Sequence, residues 1–187
     1  MANVDAPSGF TAHEHESGNI VTNEYAIAYD EATKIHTGDF VMEDSGSAIK
    51  RATADATLVG RFCGCTYVAT DGSIKYAKYW PGAGHAKAGT PKALVEDGPD
   101  TVFVGQIDGA VAATDVFSRT NLVVANGNDA TGKSIMELDY SNLGAGTGST
   151  LPVEVLGLAP IPGNAWGANA KVLCKIANHA RRADNLA

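Results

Sequence analysis

Apolar and polar residues alternate with a period of two along many short stretches of this chain. In the clearest stretch, Val102 and Val104 fall on one face of the predicted strand and Phe103 falls on the other. Such alternation is typical of β-strands with a buried face. No segment shows the 3.6-residue period of a long amphipathic helix. Roughly ten short strands, spaced about 8–12 residues apart, predict a single all-β domain built as a sandwich or barrel.

The segment 58–80 contains the strongest local signal. Two runs rich in β-branched and aromatic residues flank the pair Asp71-Gly72. This pattern predicts a β-hairpin with a type I′ turn, because that turn needs a positive φ at both central residues. Strict alternation along the second strand would place Tyr76 and Trp80 on the same face.

The N-terminal residues lack this periodicity. Residues 1–18 are polar, and we predict that they form an extended arm with Val4 and Phe10 as apolar anchors. Residues 19–187 are then expected to form one β-rich domain of short antiparallel strands that ends in a short basic tail.

The chain of 187 residues has a net charge of −7, and its charges are unevenly spread. Residues 1–33 hold six acidic residues and no Lys or Arg, whereas residues 171–187 hold four basic residues and one acidic residue. The acidic balance argues against a nucleic-acid partner, which needs a basic face to displace counterions. The two ends could pair between neighbouring copies, or they could simply be solvated, since exposed ion pairs contribute little.

The three cysteines form no closed disulfide framework, because their number is odd. Cys63 and Cys65 lie two positions apart and are expected to share one face of a strand. We interpret both, together with Cys174, as small buried apolar residues, which suits synthesis in a reducing cytoplasm. The first residues do not resemble a signal peptide, and no apolar run approaches the roughly 20 residues that span a bilayer, so we expect no membrane partner.

One motif matches a phosphate-binding loop by its letters. Residues Gly127 to Ser134 read G-x-x-x-x-G-K-S, with Lys133 at the lysine position. The mechanism also requires a helix that begins at the loop and packs on a parallel sheet. Too few residues follow Ser134 before Ser, Asn and Gly interrupt them. The motif is therefore interpreted as ordinary loop chemistry, and no cofactor is predicted.

A second motif, His13-x-His15, could bind a metal ion, since both imidazoles would share one face of a strand. A closed zinc site needs four ligands, and the other histidines are isolated in the sequence, so no metal is predicted. No Ser, His and Asp arrangement for nucleophilic catalysis and no acid–base pair stands out. We predict that the protein has no catalytic residues and is not an enzyme.

Aromatic residues end the predicted hairpin and recur in a late loop. Tyr76, Tyr79 and Trp80 lie close together, and Trp166 lies in a Gly- and Asn-rich loop. They could form a cross-strand cluster over the core, or they could be exposed anchors for a partner, because Trp and Tyr are enriched in interface hot spots.

Four stretches resemble a known family over nearly the whole chain. They are the opening MANVDAPSGF, the hairpin with its ending YAKYWP, the stretch MELD that begins at Met136, and the region from Trp166 to His179. These stretches resemble tailed-bacteriophage virion proteins described as capsid decoration (cement) proteins or minor structural proteins. The resemblance implies a compact β-barrel or β-tulip-like fold, often with an extended arm. It also implies a protein made in the host cytoplasm that binds the outer surface of the phage head.

The resemblance implies the major capsid protein as partner, whose lattice the protein would stabilise, and self-association as a dimer or trimer. The contact candidates are the arm, the aromatic loops and the basic tail: Val4, Phe10, Tyr79, Trp80, Trp166, Arg181 and Arg182. One alternative is a head-fibre or tail component. Another is a carbohydrate- or host-surface-binding module, favoured if Tyr79, Trp80 and Trp166 line one exposed groove.

Overall fold

A computed structural model describes residues 3–144 and 151–182 of the chain. These residues form an all-β fold, which confirms the predicted fold class. The strands are β1 (Thr11–His15), β2 (Thr22–Ile27), β3 (Ile35–His36), β4 (Phe40–Glu43), β5 (Ala48–Arg51), β6 (Leu58–Val68), β7 (Ile74–Ala77), β8 (Tyr79–Trp80), β9 (Lys92–Glu96), β10 (Thr101–Gln106), β11 (Arg119–Thr120), β12 (Leu122–Val123), β13 (Glu137–Leu138), β14 (Val153–Leu158) and β15 (Lys171–Ile176). Three 3₁₀ helices span Ser45–Ser47, Ala113–Asp115 and Tyr140–Asn142. Within the described ranges, no helix is long and apolar enough to cross a membrane.

Five strands close into a β-barrel. Their hydrogen-bonded order is β4-β5-β2-β9-β6, and β6 pairs again with β4 to complete the ring. All neighbours run antiparallel except β2 and β5. Closure removes the unpaired edges that an open sheet would leave on these five strands.

Apolar side chains from the barrel strands fill the barrel interior. The short β3–β8 ribbon adds Ile35 and Trp80, which pair with each other and are both fully buried. The buried members are Ile27, Ile35, Val41, Ile49, Val59, Phe62, Cys65, Trp80, Ala86, Ala93 and Val95.

An open five-stranded antiparallel sheet, ordered β1-β10-β15-β14-β11, packs against the outside of the barrel. The core between the two layers includes Phe103 and Val155 from the sheet and Phe40 from β4. Successive side chains of a strand point to opposite faces, so Phe40 faces this second core while Val41 faces the barrel interior. Strand β4 is therefore buried on both faces, which explains its continuous apolar sequence.

Part of the N-terminal segment, Thr11–His15, belongs to the open sheet as β1. Strand β1 pairs with β10, and Phe10, just before it, is fully buried and stacks on Phe40 at 4.1 Å between ring centroids. A Cβ on Gly105 would lie 2.4 Å from the Phe10 ring, so glycine leaves the space that this ring fills. Phe10 lies in the core because its apolar side chain gains more from burial than from exposure.

The predicted β6–β7 hairpin is present, but its turn is not type I′. In the turn only Gly72 has a positive φ, of 90°, and its N–H donates to the carbonyl of Ala69 at 2.8 Å. The Asp71 carboxylate instead accepts a hydrogen bond from the Ser73 N–H at 2.8 Å. The turn therefore uses a single left-handed glycine, and the aspartate satisfies a local backbone donor.

The hairpin strand also ends earlier than strict alternation predicts. Strand β7 ends at Ala77, and residues 79–80 pair with β3 in a separate ribbon. Tyr76 is 82% exposed while Trp80 is fully buried, so the prediction that they share a face is wrong.

A β-bulge changes the side-chain phase in β6. The register against β9 shifts between Phe62 and Gly64, so Cys63 is the extra residue. Phe62 and Cys65 consequently both face the barrel interior, whereas Cys63 lies outside that core and is half-buried. The prediction that the two cysteines share a face is wrong, because a bulge inserts one residue into the period of two.

Candidate functional site

The phosphate-loop lookalike does not have the geometry of a phosphate-binding loop. Asn128 and Lys133 bridge across it as in a tight hairpin, and Lys133 also bridges to Thr37. The short strand β13 follows the motif where a phosphate-binding loop requires a helix N-terminus. The match in letters therefore does not extend to the fold.

Side chains of this loop fasten it to the barrel through a buried network. The Ser134 hydroxyl donates to Asp39 Oδ1 at 2.5 Å, and the backbone N–H of His36 donates to Asp39 Oδ2 at 2.7 Å. His36 Nε2 donates to Asp129 Oδ1 at 2.9 Å. Burial raises the pKa of Asp39, against the lowering effect of the hydrogen bonds from Ser134 and His36.

This network brings together Ser, His and Asp, but not as a catalytic triad. In a triad the histidine lies between the serine and the aspartate, whereas Asp39 here lies between Ser134 and His36. Ser134, His36 and Asp39 are fully buried. Their arrangement joins the loop to the β3–β4 turn.

The two histidines of His13-x-His15 line different depressions of the surface. His13 lies beside Val104 on the outer face of the open sheet, while His15 lies near Asp97 and bonds Ser17 Oγ through Nδ1 at 2.8 Å. Among the residues that the structure describes, no group of three or more His, Cys, Asp or Glu side chains could hold a metal ion.

Two of the predicted contact residues are buried. Phe10 and Trp80 have no exposed surface, and the Trp80 indole N–H donates to the Glu31 carbonyl at 3.0 Å. Both are corrected from surface anchors to core residues, because each fills a space that neighbouring strands leave in an apolar cluster.

Two further aromatic candidates, Tyr79 and Trp166, are half-buried. Tyr79 stacks on His36 at 5.2 Å, and Trp166 packs against the core between the two layers. Since Trp80 faces the barrel interior, the three aromatic residues do not line one exposed groove.

The basic residues at the end of the described chain are paired within it. Arg181 contacts the buried carboxylate of Asp97, and Arg182 Nη2 donates to Asp100 Oδ1 at 2.8 Å. Asp97 also accepts a hydrogen bond from the Tyr25 hydroxyl, and burial together with this carboxylate raises the pKa of Tyr25 to about 12. These contacts fasten the C-terminal segment to the turn between β9 and β10, so both arginines have partners inside the chain.

The outer face of the open sheet carries an apolar groove of about 280 Å³. Val104 and Ile161 are among its apolar walls, and His13 and Lys171 add polar groups. A neighbouring depression is lined by Val4 and shares Ile161 and Lys171 with the groove. We call Val4, His13, Val104, Ile161 and Lys171 the outer-sheet groove.

Two side chains of the outer-sheet groove are well exposed for apolar residues. Val4 is 75% exposed and Ile161 is 41% exposed. The segment that carries Val4 is held in place, because the Asn3 side chain donates to the carbonyls of Ala165 and Ala168 at 2.8 and 3.0 Å. Apolar surface on a fixed frame, with the cationic Lys171 beside it, is suited to contact with another protein.

Of the predicted contact residues, the groove includes Val4, and sequence reasoning missed Ile161 and Lys171. One signal was present: Val102 and Val104 alternate with Phe103, so both faces of β10 are apolar. One face enters the core and the other lines the groove. Ile161 carried no comparable signal, because the fold brings its loop next to β10 from more than fifty positions away.

The chain matches no protein-family model, no curated protein and no solved structure.

Proposed function

We propose that this protein is a capsid decoration protein that binds the outer surface of a phage head and stabilises the lattice of the major capsid protein. The observation that carries the proposal is the outer-sheet groove, where exposed Val4 and Ile161 flank a concave apolar surface. The resemblance of the chain to virion structural proteins implies that the partner of the groove is the major capsid protein. The barrel behind it supplies a rigid support.

Stabilisation by such a protein follows from mass action. A protein that binds assembled shell more tightly than free subunits shifts the equilibrium towards the shell by its differential binding free energy. No chemical step is needed, only a surface that matches a feature of the assembled lattice. Many weak contacts repeated over the lattice can therefore have a large total effect.

The composition of the groove suits a protein partner. Val4 and Ile161 offer apolar area that association would remove from water, and Lys171 can pair with an acidic group at the rim. Apolar residues at the centre of such a surface carry most of the binding energy, while charges at its rim mainly orient the partner.

The proposal can be tested with shells assembled without this protein. We expect the purified protein to bind these shells in many copies and to raise their melting temperature. Val4→Asp and Ile161→Asp should each reduce the bound copies at least about tenfold, because each places a charge in an apolar contact. Val21→Asp is the matched control: this valine is 51% exposed and lines a different depression.

The copy number separates the proposal from its alternatives. A head-fibre or tail component would bind at a few positions and leave the melting temperature of the shell unchanged. Binding that is unaffected by both groove variants would exclude the outer-sheet groove as the shell contact. Binding to a glycan array without binding to shells would favour the host-surface module.

A further inference from the structure

Two strands at the ends of their sheets have an open side. Strand β1 ends the five-stranded sheet, and β7 ends the six-stranded order that extends from the barrel. Within the described residues each pairs with one neighbour only, β1 with β10 and β7 with β6. The other side of each strand therefore presents backbone donors and acceptors that a further strand could use.

The β7 edge is basic and apolar. The hairpin turn, β7 and the following loop, residues 69–91, contain three lysines and a single acidic residue in a chain of net charge −7. Lys75 lies in the strand itself, between Ile74 at 66% and Tyr76 at 82% exposure. Large apolar side chains with this exposure on an edge strand are unusual for a surface in contact only with water.

The β1 edge has the opposite charge. Glu14 lies in the strand and Glu16 follows it, and both are exposed. Neither glutamate has a hydrogen bond or ion pair assigned to its side chain in the described structure. The strand spans five residues against four in β7, so the two edges have similar length.

We propose that the β7 edge of one copy pairs with the β1 edge of a second copy, with Lys75 opposite Glu14. The backbone groups of the two strands would complete each other's hydrogen bonding, and Tyr76 would cover the neighbouring β1 side chains. The sequence suggested ion pairs between the acidic beginning and the basic end of neighbouring copies. Arg181 and Arg182 already have partners within their own chain, so the pair proposed between copies is instead Lys75 with Glu14.

The charges also select against the alternative pairings. Two β7 edges would bring lysines together, and two β1 edges would bring glutamates together, and like charges across a strand pair are destabilising. Since β1 and β7 are different surfaces, one copy can contact two neighbours. The contact is therefore head-to-tail and forms a ring if the rotation between copies closes.

Sedimentation velocity over a range of protein concentrations tests the inference. We expect the wild-type chain to self-associate and to dissociate as salt is raised, because screening weakens the ion pairs. Lys75→Glu and Glu14→Lys should each weaken association on the order of tenfold. Mixing the two variants should restore it, since each then supplies the charge that the other lacks.

Matched controls keep the test decisive. Asp55→Lys makes the same charge change as Glu14→Lys at another exposed position and should leave association unchanged. Unfolding midpoints in urea establish that each variant is folded. A monomeric wild type, or a mixture of variants that remains monomeric, would overturn the inference. Shell binding measured on Lys75→Glu distinguishes the two proposals, because the outer-sheet groove is intact in that variant.

Discussion

The barrel and the open sheet differ in how they treat the edges of their strands. Both are built from short strands with a buried face, but β4 and β6 close the barrel, whereas the open sheet ends at β1 and β11. The barrel buries its apolar residues inside a ring. The sheet uses one face for the core and leaves apolar residues such as Val104 at a groove on the other. The comparison indicates that closure provides the support, while open edges and faces provide the contact surfaces.

The two regions share strands, which limits how independent they can be. In β4, Phe40 contributes to the core between the layers and Val41 contributes to the barrel interior. In β6, Leu58 and Val59 divide in the same way. Loss of the barrel should therefore disrupt both cores, whereas loss of contacts that belong only to the open sheet should leave the barrel folded.

The largest expected effect comes from removing one aromatic ring from each region. Phe10→Ala and Phe62→Ala should each lower the free energy of unfolding by about 3–5 kcal/mol, because both side chains are fully buried. Urea unfolding measures these values. Hydrogen exchange should separate the two variants: Phe10→Ala should expose amides of β1 while those of β9 stay protected.

Phe62→Ala is the control for this contrast, since it should reduce protection in both regions. Equal loss of protection in β1 and β9 for the Phe10 variant would contradict the division into a support and a dependent sheet. The chain would then unfold as one cooperative unit, without separate opening of the open sheet.

The sequence predicted local features of the two regions better than the contacts between distant strands. Alternation around Phe103 and the Asp71-Gly72 pair indicated the all-β class and the hairpin, because these signals are local. The closing contact between β4 and β6 and the burial of Trp80 were not predictable from spacing, because they depend on pairings between distant strands. The bulge at Cys63 was not predicted, although an isolated glycine within a strand, here Gly64, is typical of a bulge, and the bulge reversed the side-chain phase after it.

The site was less predictable than the fold. Val4 was indicated as an isolated apolar residue in a polar segment, and it lines the outer-sheet groove. Ile161 lies in the same groove only because the fold brings its loop, distant in sequence, next to β10. The sequence showed that Arg181 and Arg182 are basic, but it did not predict that they form ion pairs within the chain. Their acidic partners lie more than eighty positions earlier.

Breaking the buried network of the phosphate-loop lookalike should have the next largest effect. Ser134→Ala removes a donor to the buried Asp39 carboxylate and should cost about 1–3 kcal/mol in urea unfolding. Ser141→Ala is the matched control, because that hydroxyl also donates to an aspartate, Asp139, but is exposed. Its cost should stay below about 0.5 kcal/mol. Equal costs would show that the network contributes little to stability.

A glycine pair in the open sheet gives an effect of similar or smaller size. Gly105→Ala should destabilise the protein by about 1–3 kcal/mol, since the added methyl group meets the Phe10 ring. Gly157→Ala lies in the same sheet with open space around its added methyl group and should be close to neutral. Thermal unfolding of both variants measures the difference. A neutral Gly105 variant would mean that the Phe10 ring can move without loss of packing.

The smallest effect is a pH dependence at the β12–β13 ribbon, whose Leu122 and Leu138 belong to the core between the two layers. Burial raises the pKa of Glu137 to about 7 from its ordinary value of 4.5, and the carboxylates of Asp108 and Asp5 contribute. The folded state therefore holds this proton more tightly than the unfolded state. The contribution of Glu137 to stability is fully present below about pH 4.5 and is lost as the pH rises through about 7.

Glu137→Gln should remove this dependence, because its side chain remains neutral. We expect the melting temperature of Glu137→Gln relative to wild type to rise between pH 5 and pH 8, and the sign follows from the raised pKa in the folded state. Glu16→Gln, at an exposed position, controls for the loss of one negative charge. If both variants shift equally with pH, the effect is one of net charge. If only Glu137→Gln shifts, the half-buried carboxyl of Glu137 in β13 is the source of the pH dependence.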